Sequence, residues 1–387
     1  MRGAVFALCA AEVLTMIGVF AFPTLLPAFT AQWSLSATEA GWISGVTFAA
    51  YAVAVAVLTA VTDRVDARLI HLGGAATAAL SCAGFALLAE GFWSALALRG
   101  LGGAALAGTY MPGLKALVDR TQGPRQPRWI SFYTASFSLG TSLSFLVTGW
   151  VGEAFGWRAA YGLSAIAALA AVALVAMALK PVPPQPPQVA TPLLDFRPVL
   201  RNRPAMGYVL AYCAHTWELF GFRNWVVAFL AVVLAQQPGA AGPTPAAAAT
   251  LGALVAMAAS IGGADLAQRF DRRRLCMVAT TLSGLMALGL GFAGGLPYGW
   301  VVVATLVYSA LIQLDSAALT TGAVLVAEPG RRGATIAVHS LIGFGGGFIG
   351  PLAVGALLDA TGGSWGIAFA SLGVVALLGP LALRLLR

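Results

Sequence analysis

Apolar residues fall along this chain in runs of about 20, the length that crosses a hydrocarbon core of roughly 30 Å as a helix. Short polar stretches separate the runs, and none alternates with period two as a barrel strand would. Backbone groups in lipid must be satisfied within the segment, so each run is read as a helix. The pattern predicts twelve spans, at 4–28, 38–61, 69–90, 92–118, 129–151, 157–179, 205–235, 245–266, 274–294, 298–327, 333–358 and 365–385. Ser36-Ala37-Thr38-Glu39 is a capping box that opens the second span. Thr244-Pro245 places a cap and a first-turn proline at the eighth. The beginning of the chain, Met1-Arg2 and an apolar run, has the outline of a secretory signal. It carries Glu12 in its middle and is repeated later in the chain, so it is kept as the first span.

The two halves repeat. Asp63-Arg64-Val65-Asp66-Ala67-Arg68 and Gln268-Arg269-Phe270-Asp271-Arg272-Arg273 each follow an apolar run and stand 205 residues apart. Glu12 answers Glu218, Arg128 answers Arg332, and Trp157 answers Trp365 at nearly the same offset. Two parallel apolar repeats with charges at matching places indicate a membrane carrier. The expected domains are an N-terminal six-helix bundle at 1–180, a cytoplasmic linker at 181–204 and a C-terminal six-helix bundle at 205–387. The linker is proline-rich, which suits a semi-rigid extended connection.

Composition removes the soluble alternatives. The chain is 59% hydrophobic and 9% charged, with a mean hydropathy of +0.85, against roughly 25% charged in soluble domains. Of the 22 Lys and Arg, eighteen fall in the loops and ends that are cytoplasmic if the N-terminus is cytoplasmic. Arg158 alone lies in an external loop, while Arg99, Lys115 and Arg223 lie inside spans. This bias sets both termini in the cytoplasm of a multi-pass protein, expected in a bacterial inner membrane. The net charge of +8 then reports topology and anionic headgroups; its dispersal over many loops is not a nucleic-acid footprint. Cys9, Cys82, Cys213 and Cys276 lie in or beside apolar runs, with no spacing for zinc or a disulfide. No metal or cofactor is expected, and the working unit is expected to be a monomer.

The loop Thr59-Ala60-Val61-Thr62-Asp63-Arg64-Val65-Asp66-Ala67-Arg68 resembles the signature loop of the major facilitator superfamily, with Thr59 and Asp66 where that signature has glycines. Arg99-Gly100-Leu101-Gly102-Gly103-Ala104-Ala105 and Gly156-Trp157-Arg158 are similar to other stretches of the same family. The resemblance covers essentially the whole chain. It implies an all-α polytopic fold of twelve transmembrane helices in two pseudo-symmetric six-helix bundles. It also implies a gating role for Asp63, with Arg64 and Arg68 beside it, through an aspartate facing a neighbouring helix N-terminus. The fifth span lacks the proline of the family's drug antiporters; Gly346-Gly347-Phe348-Ile349-Gly350-Pro351 in the eleventh is the similar string.

Five charges lie deep in the spans: Glu12 in the first, Arg99 in the fourth, Glu218 and Arg223 in the seventh, Asp315 in the tenth. Each costs at least about 2.5–3.5 kcal/mol on insertion scales and so marks a candidate site. By the resemblance, these four helices line the translocation path. Arg99, Arg223, Glu12 and Asp315 are the expected substrate-binding residues. Glu218, with His215 three residues before it on the same face, is the expected site of proton coupling. Bland readings stay open: Glu12 and Arg99 locking two helices, Arg99 simply hydrogen-bonded to helix carbonyls, a packed neutral His215, a helix-bonded Asp315. Three acids against two guanidiniums leave one carboxylate to exchange a proton. The expected function is proton-coupled transport of a small organic solute, an organic anion first because of its two arginines. The alternatives are efflux of cationic or amphipathic drugs, and a non-transporting sensor. No nucleotide loop, nucleophile motif or pore loop supports an enzyme or a channel.

Overall fold

The computed structural model describes residues 2–183, 196–328 and 331–386, and every regular element among them is helical. Among the described residues, nine helical stretches are long and apolar enough to cross a membrane. The predicted spans that fall short are the first, the fourth and the ninth, each for a visible reason. The first is interrupted, the fourth carries Arg99, Lys115, Asp119 and Arg120, and the ninth opens on three arginines and continues through Thr280, Thr281 and Ser283.

The chain divides into two compact units, Met1–Ala28 with Ala49–Thr191, and Phe29–Phe48 with Pro192–Arg387. The sequence expectation put the division in the linker. The units divide at 191/192, within 181–204, and 29–48, including the first half of the second span, goes in addition with the second unit. Half of the expected linker, 184–195, lies outside the described residues.

In the first unit, α1 (Arg2–Met16) leads through a turn to α2 (Ala21–Thr24), and α3 (Leu26–Trp33) begins two residues later. The shared helix α4 (Ala37–Val61) is followed by α5 (Ala67–Leu88), α6 (Phe92–Arg120), α7 (Gln126–Phe155) and α8 (Trp157–Ala178). Helix α5 packs on α6 and α8, and α1 on α7 and α8. Small residues make this possible where no hydrophobic effect drives helices together. A Cβ on Gly74 would meet the Gly108 backbone at 2.6 Å, so α5 and α6 touch main chain to main chain.

The second unit holds α9 (Arg197–Arg201), α10 (Arg203–Ala235), α11 (Pro245–Arg269), α12 (Arg272–Leu290), α13 (Tyr298–Gln313), α14 (Ser316–Leu325), α15 (Arg332–Ala360), α16 (Trp365–Ala376) and α17 (Leu378–Leu385). The 33-residue α10 is its buried centre, packed along α15. The first half of α4 docks on the same α15. A Cβ on Gly41 would meet the Pro351 carbonyl at 2.7 Å. Asp359 accepts from the Ala37 N–H at 3.0 Å, the Thr38 N–H at 2.7 Å and the Thr38 hydroxyl at 2.6 Å. These bonds join the expected capping box, in which the Ser36 N–H donates to Glu39 at 2.9 Å and the Glu39 N–H to the Ser36 hydroxyl at 3.1 Å.

The repeated charged motif is a staple within each unit. Asp66 caps α5, accepting from the Arg68 N–H at 2.9 Å, and Asp271 caps α12, accepting from the Arg274 N–H at 2.8 Å. Two residues after each aspartate, an arginine reaches the last carbonyls of its unit's final span. Arg68 donates to Ala176 at 2.9 Å, and Arg273 to Leu383 at 2.6 Å and Leu386 at 2.7 Å. Cations at a helix C-terminus satisfy its orphan carbonyls. Asp66 also receives Arg120 on both oxygens at 3.0 Å and the Val182 N–H at 2.8 Å. Burial pushes its carboxyl up, but the bonds from Val182, Arg68 and Arg120 outweigh this and hold it below the usual carboxylate range. A carboxyl depressed on folding stabilises above its unfolded pKa and loses that contribution as the pH falls through its folded one. Asp66→Ala should therefore cost about 1 kcal/mol at neutral pH, the worth of a cap, and less in acid. Equal melting temperatures of variant and parent at pH 7 would remove the staple from consideration.

Candidate functional site

The first unit builds its polar centre around a broken helix. The sequence predicts a continuous first span, but α1 ends at Met16 and residues 17–20 form a turn. Pro23 has no N–H to offer the Val19 carbonyl, its partner in an unbroken helix. Arg99 Nη1 donates to that carbonyl at 2.8 Å instead. The Ser144 hydroxyl donates to the Ile17 carbonyl at 2.6 Å and accepts from the Phe20 N–H at 3.1 Å. Irregular backbone at membrane depth needs such substitutes. Arg99 lies 6.0 Å from the Phe22 ring centroid, with Tyr161 and Cys82 as further neighbours.

Glu12 is wholly buried and does not pair with Arg99, so the reading that these two lock their helices is set aside. Its Oε2 accepts from the Tyr133 hydroxyl at 3.0 Å, and its Oε1 has no partner. Tyr133 also lies within bonding distance of the Thr109 and Tyr110 carbonyls, at 3.2 and 2.9 Å. Buried His71 meets the Thr109 carbonyl through Nδ1 at 3.0 Å, leaving Nε2 without a partner. These carbonyls lie just before Pro112 in α6, where a proline opens the helical ladder.

In the second unit Glu218 is buried at the middle of α10 and held by hydroxyls alone. Tyr308 of α13 donates to Oε1 at 3.0 Å, and Ser283 of α12 donates to Oε2 at 2.9 Å. Asp315 stands at the turn between α13 and α14, which interrupts the predicted tenth span. Thr280 of α12 donates to its Oδ2 at 2.5 Å. His215 Nδ1 lies 2.9 Å from Oδ1, close enough to pair when protonated but not aligned as a hydrogen bond. Tyr212 stacks between His215 and His339, its centroid 5.7 and 4.0 Å from theirs. His339 Nε2 is 3.2 Å from the Thr320 hydroxyl. The two repeated glutamates thus share a tyrosine hydroxyl donor but take it from different helices, α7 for Glu12 and α13 for Glu218.

Arg223, 8% exposed, makes no hydrogen bond or ion pair with any described residue. All five deep charges are buried, as a lipid-facing charge would not be. The side chains of Asp63 and Arg64 make no hydrogen bond to a described residue, while Arg68 belongs to the staple described above. Tyr133, His71, Tyr308, Ser283, Thr280 and His339 are site residues that the sequence reading did not single out. Serines, threonines and tyrosines are frequent in these spans, and only a neighbouring acid distinguishes the ones that matter. Among the described residues no group of three or more His, Cys, Asp or Glu is placed to hold a metal.

A model of the Major Facilitator Superfamily matches residues 8–327. No curated protein sequence matches significantly. Among solved structures, the chain is similar to a bacterial homolog of the human lysosomal transporter Spinster, seen in inward-facing occupied and inward-facing unoccupied conformations. Each comparison gives 16% identity and a TM-score of 0.75, covering 98% of this chain and 94% of the other. At that identity the likeness speaks for the fold. The family match spans most of the sequence, and with the apolar helices it makes this chain an integral, multi-pass membrane protein of the major facilitator superfamily, a family of secondary transporters.

Proposed function

We propose that the protein is a proton-coupled secondary transporter of a small organic anion, working by alternating access of two six-helix halves with both termini in the cytoplasm. The observation that carries this reading is Arg223. A buried guanidinium keeps its charge at every working pH, and one without an anion among the described residues is built to receive one. A carboxylate or phosphate would meet it in the bidentate geometry that guanidinium favours. Proton coupling rests on Glu218 and Asp315, two buried acids within electrostatic reach of each other. Glu218 is solvated only by hydroxyls, so it can accept or release a proton without breaking an ion pair, and Asp315 has a hydroxyl and His215 beside it.

The second reading, export of a cationic or amphipathic compound, keeps one observation in its favour. Glu12 Oε1 is buried and has no donor, so an amine could supply it. A thermal-stability screen of the purified protein against anionic, cationic and neutral metabolites separates the two, since a ligand of the folded state raises the melting temperature in a concentration-dependent way. An organic anion should stabilise the parent and have no effect on Arg223→Ala. Stabilisation by cations alone, lost in Glu12→Gln, would replace the anion reading with the second.

Gating is proposed for Asp63 and Arg64, whose side chains are not engaged by the staple. Asp63→Asn should slow exchange several-fold while leaving the affinity for substrate within about twofold, a small fraction of 1.4 kcal/mol per decade. A large loss of affinity at normal exchange rates would contradict it.

A further inference from the structure

Helix α12 is the ninth span, and by the resemblance it lies outside the set that lines a translocation path. Yet it supplies a hydroxyl to each of the two deep acids of the second unit, Asp315 and Glu218, and each of those hydroxyls has two acceptors for its one hydrogen. Thr280 Oγ1 lies 2.5 Å from Asp315 Oδ2 and 2.8 Å from the Cys276 carbonyl one turn back. Ser283 Oγ lies 2.9 Å from Glu218 Oε2 and 3.1 Å from the Thr280 carbonyl. A hydroxyl is one donor and two acceptors and rotates to suit. When the acid is ionised, the hydroxyl donates to it. When the acid carries the proton, its O–H donates to the hydroxyl oxygen, and the hydroxyl hydrogen turns to the helix carbonyl. The carboxyl oxygen that faces each hydroxyl is then bonded in both states with no helix displaced, and no atom is gained or lost beyond the proton itself.

We propose that Thr280 and Ser283 are positioning residues for proton coupling: rotors on α12 that keep Asp315 and Glu218 hydrogen-bonded both with and without their protons, the bond to the ionised form being the stronger. This rests on the reading of those two acids as the coupling site. The other groups facing them are His215 on the same helix as Glu218, Tyr308 on α13, Cys276 on α12 and, beyond Tyr212, His339 on α15. None of these pairs a two-way hydroxyl with a backbone acceptor of its own.

The test needs no substrate. Infrared spectra of the purified full-length protein, recorded through a pH titration, report the C=O stretch of each protonated carboxyl. Asp315→Asn and Glu218→Gln identify the two bands by removing them. Thr280→Val, which keeps shape and removes the hydroxyl, should move the Asp315 band to higher wavenumber. It should also carry its midpoint about one pH unit toward alkaline, a tenfold change in proton affinity, because the ionised form loses its donor. Ser283→Ala should do the same to the Glu218 band by a smaller amount, since Tyr308 still donates. Thr280→Ser and Ser283→Thr should restore both, which a merely structural loss would not allow. Unmoved bands in Thr280→Val and Ser283→Ala, with both bands still assigned by the acid variants, would overturn the rotor role alone. Failure of Asp315→Asn and Glu218→Gln to remove any titrating band would overturn the coupling site, and the rotors with it.

Discussion

Glu218→Gln should abolish accumulation of substrate driven by a pH gradient while preserving exchange of substrate across the membrane. The amide keeps the size of the acid; its oxygen can accept from one of the two hydroxyls that hold the carboxyl, Tyr308 at 3.0 Å and Ser283 at 2.9 Å, while its NH2 donates to the oxygen of the other. It cannot release a proton, so the cycle loses its driving ion and keeps its binding site. Losing the whole contribution of a pH gradient is a change of tenfold per unit of ΔpH in the accumulation ratio for each coupled proton. Proteoliposomes with an imposed ΔpH measure accumulation, and counterflow without a gradient measures exchange. Accumulation that survives in Glu218→Gln would transfer the coupling role to Asp315 or Glu12. Loss of counterflow as well would show that the carboxyl is needed for binding. Asp315→Asn is the informative companion, because the two acids lie in each other's field and each takes a hydroxyl from α12.

Gly263→Ala should be among the most damaging single changes in the second unit, although it adds only one methyl. A Cβ there would run into the carbonyl group of Leu314, with the Leu314 Cα at 3.2 Å. The obstacle is backbone, and it is the turn between α13 and α14 that presents Asp315. A flexible side chain could step aside; this turn cannot do so without moving Asp315 off Thr280 and His215. Overpacking of this kind costs about 1–3 kcal/mol. We expect a clear fall in melting temperature, together with impaired proton-driven transport in whatever protein folds. Gly262→Ala, one residue earlier, is the control, since a Cβ there meets nothing within 4 Å. Matching stability of the two variants would show that α11 does not brace the turn.

The helices themselves were legible because apolar length is a one-dimensional property. The predicted second span at 38–61 is α4 at Ala37–Val61, and the sixth at 157–179 is α8 at Trp157–Ala178. The breaks were partly legible. Pro23 announces an orphan carbonyl at Val19, but nothing in the sequence says that Arg99, 80 residues away, will take it. The turn before Ser316 has no proline or glycine to mark it. The repeat was visible as a matching charge pattern. Its meaning as a cap on α5 and α12 and a tie to the last span appeared only when the arginines at 68 and 273 could be followed to their acceptors.

What the sequence determined by itself is therefore what depends on local order and on cost. It set which segments are helices in lipid, where caps begin them, and which residues are too expensive to bury without a reason. Glu12, Arg99, Glu218, Arg223 and Asp315 were found by that cost alone. Tertiary structure decided what each costly residue meets. The equivalent glutamates Glu12 and Glu218 are answered by Tyr133 of α7 and Tyr308 of α13, and Arg99 is spent on a backbone carbonyl while Arg223 is left open. A hydrogen bond is satisfied by whichever donor packing brings within about 3 Å, and helices that meet across a bundle place such donors with no trace in the spacing of the sequence.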